Sequence, residues 1–159
     1  MSETRYWLMK TEPDEFSIDD LASRKNQTTW WEGIRNYQAR NFMRDEMKVG
    51  HKIFFYHSRA NPLAIVGTME VVSEPYPDPS QFDPESKYFD AKATEENPRW
   101  ILVDVKLIKK FDKPVLRDDI KEEPELADMM LIKKGSRLSI QPVTEHEWLK
   151  VHEMAGEQP

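Results

Sequence analysis

Apolar and polar positions alternate over several short stretches of this chain, a pattern typical of strands with one buried face. The predicted strands are residues 5–10, 51–58, 63–73, 100–108 and 137–143. Gly67 lies inside the third of them and predicts a bulge or a close approach of two backbones. Pro142 places the last strand at an edge of the sheet, because proline cannot donate a hydrogen bond to a neighbouring strand.

Helical spacing occurs between the strands and near the carboxyl end. We expect helices after Ser17, from Tyr37 towards Met47, in two short pieces within 116–134 on either side of Pro124, and from Thr144 to about Met154. Ser17 with Asp20, and Thr144 with Glu147, have the spacing of capping boxes, and Asn36 is a suitable N-cap residue. Residues 27–36 and the proline-rich 74–84 show neither period and are predicted to be loops.

The order of these elements predicts the fold class. The strands leave too little chain between them for parallel crossovers throughout, and helices lie between some of them. We therefore expect an α+β fold, a mixed and mostly antiparallel β pseudo-barrel surrounded by short helices. A chain of 159 residues fits one domain over 1–159.

Composition removes several classes of function. The chain has no cysteine, which excludes disulfides, thiolate nucleophiles and cysteine-based zinc sites. No apolar run approaches the roughly 20 residues that a membrane span needs, and the first residues do not resemble a signal peptide, so we expect no membrane partner.

The net charge of −6 argues against a protein that coats nucleic acid through a wholly basic surface. Residues 31–60 nevertheless carry six basic and three acidic side chains. This excess of positive charge predicts a local anion-binding patch, although an ordinary solvated helix face would give the same composition.

The segment 30–41 contains the densest group of unusual residue types. Aromatic rings such as Trp31 and Tyr37 stack on nucleobases, amides such as that of Asn36 read a polar base edge, and Arg35 and Arg40 bind phosphate. The same residues would be explained if the rings pack in the core and the polar groups cap a loop and a helix. The sequence leaves both interpretations open.

Two strand ends carry further candidates. Lys10, Thr11 and Glu12 place a cation, a hydroxyl and a carboxylate at a strand end, where either a cleft or a plain surface turn would accommodate them. His57 is either a ligand contact or a buried, hydrogen-bonded histidine. It is poorly placed to activate Ser58, because adjacent strand residues point to opposite faces.

Motifs for metals and phosphates are absent from the sequence. The four histidines show no metal-binding spacing, and the five glycines form neither a P-loop nor a dinucleotide-binding motif. We expect no metal and no cofactor.

Several stretches together resemble the EVE domain, the thymocyte nuclear protein family within the PUA-like superfamily. They are Tyr6 to Pro13, Trp31 to Asn41, Phe54 to Ser58, Tyr76 to Asp78 with Gln81-Phe82, Asn97 to Trp100 with Val103 to Val105, and Arg137 to Pro142. The resemblance implies a PUA-like pseudo-barrel with a cleft for a modified base, in DNA for eukaryotic relatives and in DNA or RNA for bacterial ones, and no catalysis.

Carried over position by position, the resemblance implies a set of site residues. They are Lys10, Thr11, Glu12, Trp31, Gly33, Arg35, Asn36, Tyr37, Arg40, His57, Ser58, Tyr76 and Asp78. Trp30 lies outside the family motif, and its role is undefined. The chain lacks the long basic N-terminal extension expected for nuclear targeting, which leads us to expect a cytoplasmic protein, and we expect a monomer.

The leading hypothesis is a non-catalytic reader, which holds an extruded modified base by ring stacking and by hydrogen bonds to its polar edge. Two alternatives stay open at this point. One is a small nuclease or hydrolase that uses Glu12, Asp78 and His57, and the other is a protein-interaction adaptor whose aromatic cleft binds a peptide.

Overall fold

A computed structural model describes residues 4–135 and 137–159 of the chain. Within them it has β1 (Tyr6–Thr11), α1 (Ile18–Ser23), β2 (Thr28–Trp30), α2 (Tyr37–Asn41), β3 (Lys52–His57), β4 (Ala64–Val71), β5 (Tyr76–Pro77), β6 (Ile101–Leu102), β7 (Asp104–Leu116), α3 (Arg117–Glu122), β8 (Ile140–Val143) and α4 (Glu145–Ala155). The residues that follow α2, Phe42–Glu46, form a π-helical turn.

Six strands form one curled sheet in the order β2-β7-β4-β3-β1-β8, and β5 pairs with β6 separately. The pairing of β1 with β3 is parallel, and the other strand pairs of the sheet are antiparallel. The parallel pair requires a long crossover, and the chain between β1 and β3 contains α1, β2 and α2, of which β2 joins the same sheet as an edge strand. The predicted α+β class, with a mostly antiparallel half-barrel and short helices around it, is confirmed.

Both faces of the central strands are buried. Trp7 and Met9 lie in one apolar cluster with α1 and α2, whereas Leu8 lies in a second cluster with α3 and α4. Phe54 and Phe55 divide in the same way, because consecutive strand residues point to opposite faces. This arrangement explains why β1 and β3 read as nearly continuous apolar runs.

The predicted helix caps are confirmed. Ser17 Oγ accepts from the N–H of Asp20 at 3.1 Å, and the Asp20 carboxylate accepts from the N–H of Ser17 at 2.8 Å. Thr144 and Glu147 form the same reciprocal pair at the start of α4. These bonds satisfy backbone donors that the first turn of a helix leaves without partners.

The prediction for Gly67 is also confirmed. The pairing of β4 shifts register between Ile65 and Gly67, and a Cβ atom at Gly67 would lie 2.3 Å from the carbonyl oxygen of Lys109. Any side chain at this position would push β4 away from β7.

Some predicted boundaries are wrong. The predicted loop 27–36 contains β2, which is too short to show a period. The predicted strand 100–108 is interrupted at Val103, and β7 then continues to Leu116. The sequence did not indicate the second half of β7, because only Phe111 and Val115 are buried there and the apolar alternation is lost.

Two irregular segments also differ from prediction. The second helix predicted within 116–134 is replaced by two short 3-10 turns, Pro124–Leu126 and Met130–Ile132. The predicted loop 74–84 contains β5 and a 3-10 turn, Pro79–Phe82. Pro124 and Pro79 each occupy the first position of a 3-10 turn. Proline suits this position, because a backbone N–H there would have no partner within the turn.

Among the described residues, no helix has both the length and the apolar character that crossing a bilayer would require.

Candidate functional site

A cleft of about 1060 Å³ opens beside the carboxyl end of β1. One wall comes from the edge strand β2 and the segment after it, and another comes from the end of β1 and the residues just before the opposite edge strand, β8. The cleft therefore brings together residues from both sides of the curled sheet.

The wall formed by residues 31–35 is held in place by a buried carboxylate. Asp78 is 1% exposed, and its Oδ2 accepts from the Gly33 N–H at 2.9 Å. Its Oδ1 accepts from the N–H of Ser80 at 2.8 Å. Asp78 therefore fixes this wall to the loop that follows β5.

Arg35 completes this anchor and uses all five of its N–H groups inside the protein. Two of them donate to the Tyr88 carbonyl, at 3.2 and 2.6 Å. The other three donate to the Ile34 carbonyl, to Asp78 and to Ser80 Oγ, at 2.9, 3.2 and 3.1 Å. A guanidinium has five donors, so Arg35 has none left for the phosphate contact that the sequence predicted, and we assign it a positioning role.

Gly33 lets an aromatic ring close over this wall. Its φ is +86°, and a Cβ atom there would lie 2.6 Å from the ring of Tyr88. Only glycine combines that backbone conformation with so close a neighbour. Tyr88 lines the cleft as a result.

Seven of the predicted site residues line the cleft. They are Lys10, Thr11, Glu12, Trp31, Gly33, Arg35 and Ser58. The ring of Trp31 is 6% exposed and packs edge-on against Phe16 and Phe55. Trp31 is thus both a core residue and part of the cleft wall, so the two interpretations of this residue are compatible.

The other six predicted site residues lie outside the cleft lining. They are Asn36, Tyr37, Arg40, His57, Tyr76 and Asp78. Each of them has a structural partner, as Asp78 illustrates. Their predicted contact with a base has no support in this geometry.

Tyr37 and Arg40 belong to a stack on the outer surface. The ring of Tyr37 stacks on Trp100 with centroids 4.8 Å apart, and the Arg40 guanidinium lies 4.6 Å from the Tyr37 ring centroid. Arg40 also donates to the Arg99 carbonyl at 2.8 Å. The rings that the sequence assigned to one pocket therefore lie at two places.

Asn36 and Tyr76 also hold the backbone and a neighbouring side chain. Asn36 Oδ1 accepts from the N–H of Ala39 at 3.0 Å, which confirms its prediction as an N-cap. The Tyr76 hydroxyl donates to Asp104 at 2.6 Å. Burial, together with this carboxylate, raises the pKa of Tyr76 well above its ordinary value.

His57 acts as a hydrogen-bond acceptor for α1. Its Nε2 accepts from the Ile18 N–H at 3.1 Å, so this nitrogen carries no proton. Burial is the main cause that lowers the pKa of His57; Lys110 acts in the same direction and Asp19 opposes it. The buried, hydrogen-bonded interpretation of His57 fits these contacts.

Lys10 and Glu12 lie on the opposite wall of the cleft from Trp31's segment. Burial, with a smaller contribution from Arg117, lowers the pKa of the Lys10 amine. Glu12 pairs with Arg59 at 3.1 Å, and both side chains are exposed. Such a pair contributes little stability and can exchange its partner for a ligand.

Five exposed cations surround the cleft opening, and we call them the basic rim: Arg24, Lys25, Arg59, Lys87 and Arg137. Only Arg59 was part of the positive stretch 31–60. The other four rim residues come from segments outside 31–60, and four of the six basic residues in that stretch do not line the cleft, so the local patch stays a prediction. Lys87 pairs with Glu15 across the opening.

Sequence reasoning missed three aromatic residues that line the cleft: Phe16, Trp30 and Tyr88. Trp30 was noted but given no role. The signal for Tyr88 was indirect, since Gly33 marks the place where a bulky neighbour lies close, but the sequence did not say which residue it is.

The described residues, 4–135 and 137–159, contain no group of three His, Cys, Asp or Glu side chains suited to hold a metal ion.

Comparisons with known proteins agree with this architecture. The family model described as the EVE domain matches residues 5–154. Thymocyte nuclear protein 1 from Gallus gallus is 41% identical over an alignment that covers 97% of this chain and 70% of that protein.

Solved structures extend the likeness to three dimensions. A hypothetical protein from Leishmania major has a TM-score of 0.90 and 43% identity, covering 97% of this chain and 96% of that one. Human THYN1 protein, crystallised in complex with DNA containing 5-methylcytosine, has a TM-score of 0.90 and 38% identity, covering 98% and 100% of the two chains. This chain therefore belongs to the EVE domain family.

Proposed function

We propose that this protein is a non-catalytic reader that binds a modified nucleobase of DNA or RNA in the cleft beside β1. The observation that carries the proposal is the cleft itself: about 1060 Å³, with aromatic side chains in its walls and the basic rim at its opening, on a chain of net charge −6. Ligand pockets span roughly 300–1,000 Å³, so a nucleotide and part of its neighbours fit.

The human relative supports the class of ligand. THYN1 was crystallised with DNA that contains 5-methylcytosine, and it shares 38% of its residues with this chain. We transfer nucleic-acid binding to this chain on that likeness, and the positive charge around an otherwise acidic protein's cleft favours the same ligand.

Within this proposal, the residues of the cleft have different tasks. Tyr88 and Trp31 are the aromatic surfaces against which a base packs, and Thr11 and Ser58 are the hydroxyls near its polar edge. The rim binds the phosphates on either side. Phosphate contacts position the strand and carry no sequence information, so discrimination must come from the walls.

Recognition of a single methyl group sets the scale of the expected selectivity. A methyl group placed in an apolar pocket contributes about 1–3 kcal/mol, or roughly 10–200-fold in affinity. We therefore expect preference for the modified base within that range, together with modest, salt-sensitive affinity.

Absence of catalysis is part of the proposal. The nuclease alternative needs Glu12, Asp78 and His57 to act together, yet only Glu12 lines the cleft. Asp78 is buried and accepts from the Gly33 N–H, and His57 Nε2 accepts from the Ile18 N–H of α1. Incubation of labelled oligonucleotides with the protein, with and without Mg²⁺, should give no cleavage or base conversion.

A cytoplasmic location and a monomeric state are also proposed and await measurement by cell fractionation and by sedimentation. Binding to RNA as well as DNA is proposed on the same footing.

The central test is a binding comparison by fluorescence polarisation. Duplex and single-stranded DNA, and single-stranded RNA, each carry either one 5-methylcytosine or cytosine at the same position. Tyr88→Ala should weaken binding of the modified probe by about 5- to 150-fold, since a base stacked on a ring contributes about 1–3 kcal/mol.

The matched control is Phe89→Ala, because Phe89 is the adjacent aromatic residue, is 43% exposed and does not line the cleft. Circular dichroism verifies that both variants are folded. Equal affinity for modified and unmodified probes, or equal losses in the two variants, would contradict the proposed reader.

A further inference from the structure

Two neighbouring tryptophans have opposite environments at the cleft. Trp31 is 6% exposed and packs in the core, whereas Trp30 is 52% exposed. Trp30 is the last residue of β2, which is an edge strand of the sheet, and its partner across the pair is Asp104 of β7. A large aromatic ring thus stands at the cleft opening with half of its surface in water.

The chain just before Trp30 forms a defined turn. Asn26 and Gln27 have φ values of 56° and 53°, which non-glycine residues rarely adopt. Hydrogen bonds hold this turn: Gln27 N–H donates to the Arg24 carbonyl at 2.8 Å, and Thr28 Oγ1 donates to the Asn26 carbonyl at 2.9 Å. Two rim cations, Arg24 and Lys25, are exposed on this turn and line the same cleft as Trp30.

An exposed ring that shares a cleft opening with exposed cations fits the base stack of a nucleic-acid duplex. Extruding a base leaves a gap between its former neighbours, and closing or filling that gap decides much of the cost. Proteins that kink duplexes insert large apolar side chains between base steps. The phosphates on either side of such a gap would meet Arg24 and Lys25.

We propose, on the basis of the function proposed above, that Trp30 is a wedge that fills the gap in a duplex from which the modified base has been extruded. The base itself lies deeper, against Tyr88 and Trp31. Trp30 is accordingly a positioning residue for duplex substrates and has no part in reading the modification.

A wedge contributes to binding only when the second strand of a duplex is present, whereas a ring that stacks on the bound base does not need that strand. A single strand has no gap to fill, so a wedge adds little to its binding. A wall that stacks directly on the bound base would contribute equally to both forms. Comparing the two forms therefore separates the two roles.

The experiment uses three DNA probes that share one strand with a central 5-methylcytosine: a matched duplex, a duplex with a mismatch opposite the modified base, and the single strand. Each probe is also made with cytosine at the central position. Trp30→Ala is compared with the wild-type protein by fluorescence polarisation. Leu149→Ala is the matched control, since Leu149 lies on α4, is 47% exposed and does not line the cleft.

We expect Trp30→Ala to lower affinity for the matched duplex by about tenfold and for the single strand by less than about twofold. The mismatched duplex should fall between them, because its base is extruded at lower cost. Trp30→Phe should recover part of the lost affinity. Leu149→Ala should change none of the three.

Equal losses on the duplex and the single strand would overturn the wedge and make Trp30 a stacking wall, while the reader function would stand. Wild-type binding to the single strand but not to the duplex would also overturn it. If the wild-type protein bound none of the probes carrying 5-methylcytosine more tightly than their cytosine equivalents, the proposed function would fail together with the wedge.

Discussion

The cations near the cleft divide into two groups with opposite environments. Arg35 donates all five N–H groups within the protein: two of these groups donate to the single Tyr88 carbonyl, and one donates to the buried Asp78. The basic rim consists of exposed side chains, and its ion pairs, Lys87 with Glu15 and Arg59 with Glu12, join exposed partners. The first group determines the shape of the cleft, and the second is available to a ligand.

The comparison teaches that residue type alone does not define a phosphate-binding arginine. The number of donors left after folding decides it. A guanidinium with all donors occupied would have to lose buried hydrogen bonds before it could bind phosphate, and such bonds to charged groups contribute about 1.5–3 kcal/mol each. Exposed ion pairs contribute only about 0–1 kcal/mol and exchange readily.

The largest expected effect concerns the internal group. Arg35→Ala leaves the Asp78 carboxylate buried without its charge partner, and we expect the free energy of unfolding to fall by about 3–5 kcal/mol. Urea denaturation measures this loss. Arg137→Ala, which removes a rim cation, is the control and should change stability by less than about 0.5 kcal/mol. If Arg35→Ala and Arg137→Ala had similar free energies of unfolding, the distinction between the internally bonded Arg35 and the exposed rim cations would be contradicted.

A second, smaller effect concerns His57, which also belongs to the internally bonded groups. Burial lowers the pKa of both His57 and His152 below the ordinary 6.5, so the unfolded chain binds more protons than the folded protein just below that pH. Their contribution to stability is fully present above about pH 6.5 and falls as the pH decreases towards the folded-state values.

Each of these histidines contributes a slope of at most about 1.4 kcal/mol per pH unit. His57→Gln keeps an acceptor for the Ile18 N–H and removes the titration, so the loss of stability between pH 7 and 5 should be smaller than in the wild type. Urea denaturation at several pH values measures the difference. Identical pH dependence in both proteins would show that His57 does not titrate as described.

The smallest expected effect concerns the basic rim, the second group of cations. Arg137→Gln should weaken nucleic-acid binding several-fold at low salt and reduce the slope of log affinity against log salt by about 0.7–0.9. Lys113→Gln is the control, because Lys113 is an exposed residue of β7 that does not line the cleft. If both variants changed the slope equally, the rim would not be a distinct binding surface.

Local features of the fold were predictable because their causes lie within a few residues. The capping boxes at Ser17 and Thr144 need only a hydroxyl and an acid three positions later. The strand β7 was predicted only in part, since its polar second half is held by pairing with β4, which is distant in sequence. Pairing of this kind leaves little trace in a local period.

The sequence predicted those parts of the candidate site whose residues are adjacent in the chain. The sequence predicted that the end of β1 and the segment after β2 contribute to a cleft, and residues of both segments line it. It could not foresee that Tyr37 turns outward to stack on Trp100, or that Tyr88 closes over Gly33. These outcomes depend on contacts between segments about 55 to 65 residues apart.

The sequence by itself determined the family, the class of fold and the helix starts, because each rests on ordered motifs or on short-range hydrogen bonds. Only the tertiary structure decided which rings and cations face the cleft. Curling of the sheet brings β2 near the end of β1, and the internal bonds of Arg35 remove it from the groups that can bind a ligand. Both depend on which distant acceptors and edges meet, and a linear pattern does not encode that geometry.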